Sequence, residues 1–566
     1  MAATMLAFVA AQAADPVKVE GQTVDLPDFT VTDSRVLPEA RPWLHGRVGR
    51  FEVLSSAGER RTRKLLADFQ RFQQALGLLW TAPIKPLASS TLVLCARNGE
   101  FASLLPAGAD TDASPSRLLR DRESLAIAVN LAAERLLIDD AAALAATGAN
   151  TVELDVDHAE LLYREYIFSL LNQSEVRPPA WMAEGLAQIV MAAEVTDRSL
   201  VYGKIDTFKG GATGVAITDA DETDASANGT SVVGEQPFNV VLRFRKLMPL
   251  GEFFAVTTDS PAARTPLGNN LWAKQAYLFV HFCLFGEDLR YRDALPQFVA
   301  RLAREPLSES LFRECFKVGY ADMQRDLRAY ILHLKHKYQT YAIKPTDRFD
   351  PATIELTSAS YTQVGVILGD AQRIAGRMDQ AAITYRDAYL RGARDPALLA
   401  GFAVAERAAG HTERADKLLA AACAAKAPRP SAHAALARQR LDAVLAQPAA
   451  PNGKLDAAQM ATVLGSLFEA RKHPPLIPET YHVAADAWAA SATPPKPGNL
   501  AVLDEGIKAF PRDSALVLKG ARLYASIGAN DVAASIARLG TRFASDAAAR
   551  REFEQLLASL PGPAAK

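Results

Sequence analysis

One spacing constrains this chain more than any other feature. Gly376 and Gly410 are 34 residues apart (410 − 376), and Ala381 with Ala415 and Pro396 with Pro430 repeat the same interval. In both copies the alanine follows the glycine by five positions, an offset that returns near the end at Gly528 and Ala533. A unit of this length is too short to bury a core alone, and it exceeds any helical turn or heptad. It fits two antiparallel helices whose apolar faces are buried only against the next unit. The glycine allows the turn between the helices, and the small residues let them approach closely. Beyond about residue 350 the sequence carries no strand signals, so this part reads as all-α.

The pattern resembles the tetratricopeptide repeat. In RIAGRMDQAAITYRDAY, Tyr385 and Ala388 stand where that motif has its aromatic and its second small residue. From about 432 to 510 the sequence stays helical but drifts from the consensus, with PAAPNGK and TPPKPGN marking longer turns. The resemblance implies a repeat domain over 346–566 that holds a protein or peptide partner.

With 566 residues the chain needs more than this one domain. FEVLSS, TLVLCA (91–96) and SLAIAV (124–129) are short apolar runs bounded by polar segments and predict strands. Helical spacing of Leu65, Leu66, Phe69, Phe72, Leu76 and Leu79 predicts an amphipathic helix after the first strand. DHAELLYREYIFSLLNQ and AWMAEGLAQIVMAAEV predict two more, separated by Pro178-Pro179. LWAKQAYLFVHFCLFG, ALPQFVARLA and YADMQRDLRAYILHLKHKYQ then follow as helices, with HLKHKY expected as a solvated helix end. The domain over 48–345 is therefore expected to be α+β, a small sheet followed by helices. Residues from about 197 to 240 interrupt it with the acidic loop TDADETDASANGTS. Its Asp219, Asp221 and Asp224 lack the glycine turn and distal Glu of a calcium loop.

LLYREYIFSLLNQSEVRPPAWMAEGLAQ resembles the active-site region of gluzincin metallopeptidases, in particular the bacterial peptidase-MA-like group. There one helix carries HExxH and the next carries a Glu within a WxxEGxA-like pattern. Two histidines four residues apart grip zinc from one helix face, and the intervening Glu polarises the zinc-bound water. In this sequence Arg164 and Phe168 stand at the two histidine positions. Glu165 matches the general base and Glu184 the third ligand, both as vestiges. Farther on, Trp272-Ala273-Lys274-Gln275 replaces the YAQS-like helix start common in the group. The resemblance covers about 48–340 and implies a zincin-like fold.

Neither Arg nor Phe binds zinc, and no His in the chain is followed by Glu. His158 lies seven residues before Glu165, about 10 Å along a helix, too far to complete a tripod with it. No metal or other cofactor is therefore expected, and zinc only if other ligands rescue the site. Glu184, if turned inward as the resemblance implies, needs a cation, and Arg164 has the fork to supply one. A contact of Arg164 with Glu184 or Glu165 is expected at the vacated metal position, with Phe168 filling the second ligand's volume. The expected function is a non-catalytic protein or peptide scaffold. The alternatives are a hydrolase with atypical ligands and a structural role in the envelope.

The formal net charge of −1 gives no basic excess for nucleic acid or an acidic membrane surface. Cys95, Cys283, Cys315 and Cys423 form no CxxC pair and read as small buried hydrophobes. At the N-terminus, MAATMLAFVAAQAADPV has a short apolar run ending in Ala11-Gln12-Ala13, although no Lys or Arg precedes it. That pattern suits a signal peptide over 1–13, cleaved near Ala13, and a periplasmic or secreted protein. An extended lead-in follows over 14–47. No later run is long and apolar enough for an integral membrane segment.

Overall fold

The computed structural model describes residues 42–79, 87–108, 114–138, 152–173, 178–196, 198–205, 231–232, 238, 242–243, 245–264, 270–302, 305–333, 336–345, 354–446, 454–544 and 546–561. The expected leader, most of the lead-in and the acidic loop with Asp219, Asp221 and Asp224 lie outside them.

Period-two alternation builds the first core on both faces of one sheet. Strands β1 (Leu44–Val48), β2 (Phe51–Ser55), β3 (Ser89–Cys95), β4 (Ser116–Arg120), β5 (Ser124–Asn130) and β12 (Leu356–Ser358) lie in the order β12-β1-β2-β3-β5-β4. β2, β3 and β5 are parallel, and the outer pairings are antiparallel. Successive side chains of β5 point to opposite faces, and all seven of its residues are buried. Leu125, Ile127 and Val129 meet α1 (Glu59–Leu79) and α3 (His158–Asn172) through Leu66, Phe69 and Ile167. Ala126 and Ala128, with Val93 and Cys95, form the other face. Ile367, Ala371 and Ala375, in and just after α10 (Tyr361–Ile374), close over it. The first repeat helix thus completes the core of the sheet domain.

β12 was not expected, because a strand beyond residue 350 carries no local signal. LTS is a short edge strand, ordered by pairing with Leu44–Gly46. α2 (Asn98–Ala102) follows β3. Two small sheets accompany the main one: β6 (Arg135–Ile138), β7 (Val152–Asp155) and β10 (Ser231–Val232), then β8 (Glu194–Val195), β9 (Ser199–Tyr202) and β11 (Gln339–Ala342).

The second core is helical and aromatic. α4 (Ala180–Met191), α5 (Leu250–Ala255), α6 (Leu271–Phe285), α7 (Ala294–Leu302), α8 (Glu309–Phe316) and α9 (Tyr320–Ile331) surround the fully buried Trp181. Its ring lies edge-on to Phe254 at 5.2 Å and to Phe279 at 5.4 Å. Gly185 explains how closely α4 and α6 pack: a Cβ there would stand 2.5 Å from the Ala276 carbonyl oxygen. The HLKHKY end is solvated only in part: Lys337 and Tyr338 are exposed, whereas His336 is half-buried. His336 Nε2 lies 3.1 Å from the Tyr330 carbonyl oxygen, and its ring packs on Tyr330 and His281.

The rest is a helical repeat array. α10 pairs with α11 (Met378–Leu390), α12 (Pro396–Ala408) with α13 (Thr412–Ala424), and α14 (Pro430–Leu445) with α15 (Ala457–Arg471). α16 (Pro478–Ala489), α17 (Pro497–Ala509), α18 (Ser514–Ser526), α19 (Asn530–Phe543) and α20 (Ala547–Ser559) continue it. Gly376, Gly410 and Gly528 take φ of 78°, 82° and 75°, the left-handed turn after a first helix that L residues resist. Ala381, Ala415 and Ala533 are fully buried where the second helix returns. Pro396 and Pro430 open their helices at positions needing no amide proton. In the divergent stretch, Leu455 bonds to Ala490 and Ala492, tying the longer turns together. No helix among the described residues is long and apolar enough to cross a membrane.

Candidate functional site

α3 and α4 place Arg164 and Glu184 on facing helix surfaces, both buried. Asp157 caps α3 by accepting from the amides of Ala159 and Glu160, while α4 starts directly after Pro179. Arg164 donates from its two terminal nitrogens to the two oxygens of Glu184, at 2.9 Å and 2.6 Å. This parallel fork is the strongest geometry open to a guanidinium and a carboxylate. The Arg164 Cζ lies 4.9 Å from the ring centroid of Phe168, one turn farther along α3. Phe168 therefore packs beside the cation that occupies its own helix face.

Sequence reasoning missed two members of this cluster. Gln188 donates to Glu184 Oε1 at 2.7 Å, and Lys274 of α6 donates to Gln188 Oε1 at 3.0 Å. Lys274 is almost completely buried. Both leave a trace in the sequence: Gln188 lies one turn after Glu184 on the same face, and Lys274 is a lone charge in an apolar helix. Its neighbour Gln275 bonds the backbone of Met248 through both side-chain atoms, fixing α6 against the segment before α5.

Glu165 lies in the field of Arg164, but its carboxyl group takes a hydrogen bond from another element. As a residue it keeps some exposed surface, but its carboxyl group turns toward the buried Ser116 of β4, whose hydroxyl donates at 2.9 Å. Burial raises its pKa above the ordinary carboxyl value, opposed by the Ser116 hydrogen bond and the field of Arg164. Arg164 and Glu184 are thus brought together, Phe168 stands beside them, and Glu165 faces the sheet.

Zinc does not fit this arrangement. Both Glu184 oxygens are already engaged by a permanent cation, and a phenyl ring offers no lone pair. Among the described residues no group of three or more His, Cys, Asp or Glu could hold a metal ion. His281 is bonded on both ring nitrogens, to Tyr330 Oη at 3.0 Å and the Gly203 carbonyl oxygen at 2.7 Å. Burial pushes its pKa down to about 3, which marks a neutral packing residue. Cys95, Cys283 and Cys315 are buried, Cys423 is partly exposed, and all four are free thiols.

No protein-family model matches the chain, and no curated protein matches it. Among solved structures it is similar to a thermophilic tetratricopeptide-repeat protein of Thermus thermophilus. Identity is 18%, the match covers 35% of this chain and 99% of that one, and the TM-score is 0.26. The repeat architecture is read from the helix pairs themselves.

Proposed function

We propose that this chain is an exported, non-catalytic scaffold that binds a protein or peptide through its repeat array. In this reading the first half derives from a gluzincin-like zinc peptidase whose metal position has been taken by a side chain. The observation that carries it is the buried fork between Arg164 and Glu184. A hydrolase of that lineage needs Glu184 free for a metal and Glu165 aimed at a bound water. Here the first is neutralised by Arg164 and the second is bonded to Ser116. The array supplies the other half of the reading, since stacked helix pairs present extended surfaces suited to peptides and protein segments. Export, to the periplasm or beyond, rests on the small-x-small pattern at Ala11-Gln12-Ala13.

A cleavage assay tests the proposal. The full chain, supplemented with zinc, is incubated with a mixture of quenched fluorescent peptides, and no turnover is expected. Turnover that disappears in Glu165→Gln would contradict the non-catalytic reading and favour a hydrolase with atypical ligands.

A further inference from the structure

The turn between β4 and β5 presents three consecutive charged side chains, and each is held by a different helix pair of the array. Asp121 pairs with Arg373 of α10 at 2.8 Å. Arg122 pairs with Glu479 at the start of α16. Glu123 is only 4% exposed; its oxygens accept from the Ser431 amide at 3.0 Å and the Ser431 hydroxyl at 2.6 Å. The turn is shaped for this by its own bonds, because Asp121 Oδ1 accepts from the amides of Glu123 and Ser124 at 2.9 Å and 2.7 Å.

The array lacks what the turn supplies. α14 begins with Pro430, which has no amide proton, and Arg429 before it provides no side-chain cap. Arg429 instead pairs with Asp370 of α10. Ser431 therefore carries the first amide proton of α14, at the positive end of the helix dipole, and a carboxylate from the other half of the chain terminates it. All three contacts fall on first helices of the array pairs. A cleft of about 770 Å³ runs beside the turn, lined by Ser124, Gln363, Asp370 and Arg429 among others.

We propose that the Asp121–Glu123 turn is an intramolecular ligand of the array. It fills in cis the surface where a protein presenting a short Asp- and Glu-bearing segment binds, and that partner binds by displacing it. The partner's identity as a protein rests on the scaffold reading above; the cis occupancy does not.

The test uses the full chain carrying Asp121→Asn and Glu123→Gln. Hydrogen exchange of the amides at 431–434 is expected to rise roughly tenfold or more, the scale of losing hydrogen bonds to a charged group. A fluorescein-labelled peptide SRLLRDRESLAIAVN, reproducing residues 116–130, is expected to bind this variant at least about tenfold tighter than the wild type. The same peptide with Asn and Gln at the two acids is expected not to bind. Unchanged exchange at 431–434, equal binding to both proteins, or binding to neither overturns the proposal. If the double variant does not fold, Arg373→Gln opens the contact from the array side, and unchanged exchange at 121–124 there overturns it. A turn that releases and a probe that binds, with no natural protein partner found, contradicts the scaffold reading alone.

Discussion

Replacing Arg164 by Met removes the cation and keeps most of the side chain's volume, so it isolates the electrostatic role of the fork. The side chains of Arg164 and Glu184 are 8% and 3% exposed, which leaves little water to screen or replace the pairing. In Arg164→Met, Glu184 retains the Gln188 hydrogen bond but loses both charge-assisted bonds. Breaking a buried pair from one side typically costs about 3–5 kcal/mol, because the remaining charge stays desolvated. The second variant, Arg164→Met with Glu184→Gln, removes both charges and is expected to recover at least about 2 kcal/mol of that loss. Urea denaturation of the two single variants, the double variant and the wild type gives the coupling energy directly. A loss below about 1 kcal/mol for Arg164→Met, or no recovery in the double variant, would refute the claim that Arg164 neutralises Glu184.

Three other outcomes follow from the same geometry. Gly185→Ala should destabilise the chain by about 1–3 kcal/mol, because the added methyl meets the Ala276 backbone; urea midpoints check this. His281 stays neutral in the folded chain down to about pH 3, whereas it protonates in the unfolded chain below its ordinary value of 6.5. Its contribution is therefore complete above pH 6.5 and declines as the pH falls. About 2 kcal/mol is lost between pH 6.5 and 5, a loss that His281→Gln should remove from the stability–pH curve. Glu165 has its carboxyl pKa raised by burial, so the folded state disfavours its charge as the pH rises. Glu165→Gln should be at least as stable as wild type at pH 8, with the difference shrinking toward pH 4; thermal denaturation across that range decides.

Much of this architecture is legible in the sequence because it rests on local period. The 34-residue spacing encodes a left-handed glycine and a buried alanine in the first two repeats, and the structure shows both. The strands at 51–55, 89–95 and 124–130 announce themselves because they are buried on both faces. Elements without a period of their own escaped. β12 is made by its partner strand, and α8 is a short helix whose pattern ESLFRECF spans barely two turns. At the site, a contact of Arg164 with Glu184 or Glu165 was expected from the desolvation of an inward Glu184, and the gluzincin resemblance is what turned it inward; the structure pairs Arg164 with Glu184. Gln188 and Lys274 were not expected, since a single polar residue in an apolar helix states that it needs a partner without naming one. The docking of the 121–123 turn on three helix pairs was beyond reach, because it links residues more than 240 positions apart.

The most direct test of the central claim is the metal content of the purified full chain, measured by elemental analysis after incubation with zinc and desalting, alongside Glu184→Gln. If, as proposed, the Arg164–Glu184 pair has taken a former metal position, no stoichiometric zinc is expected in either protein. One zinc per wild-type chain, lost in Glu184→Gln, would contradict it.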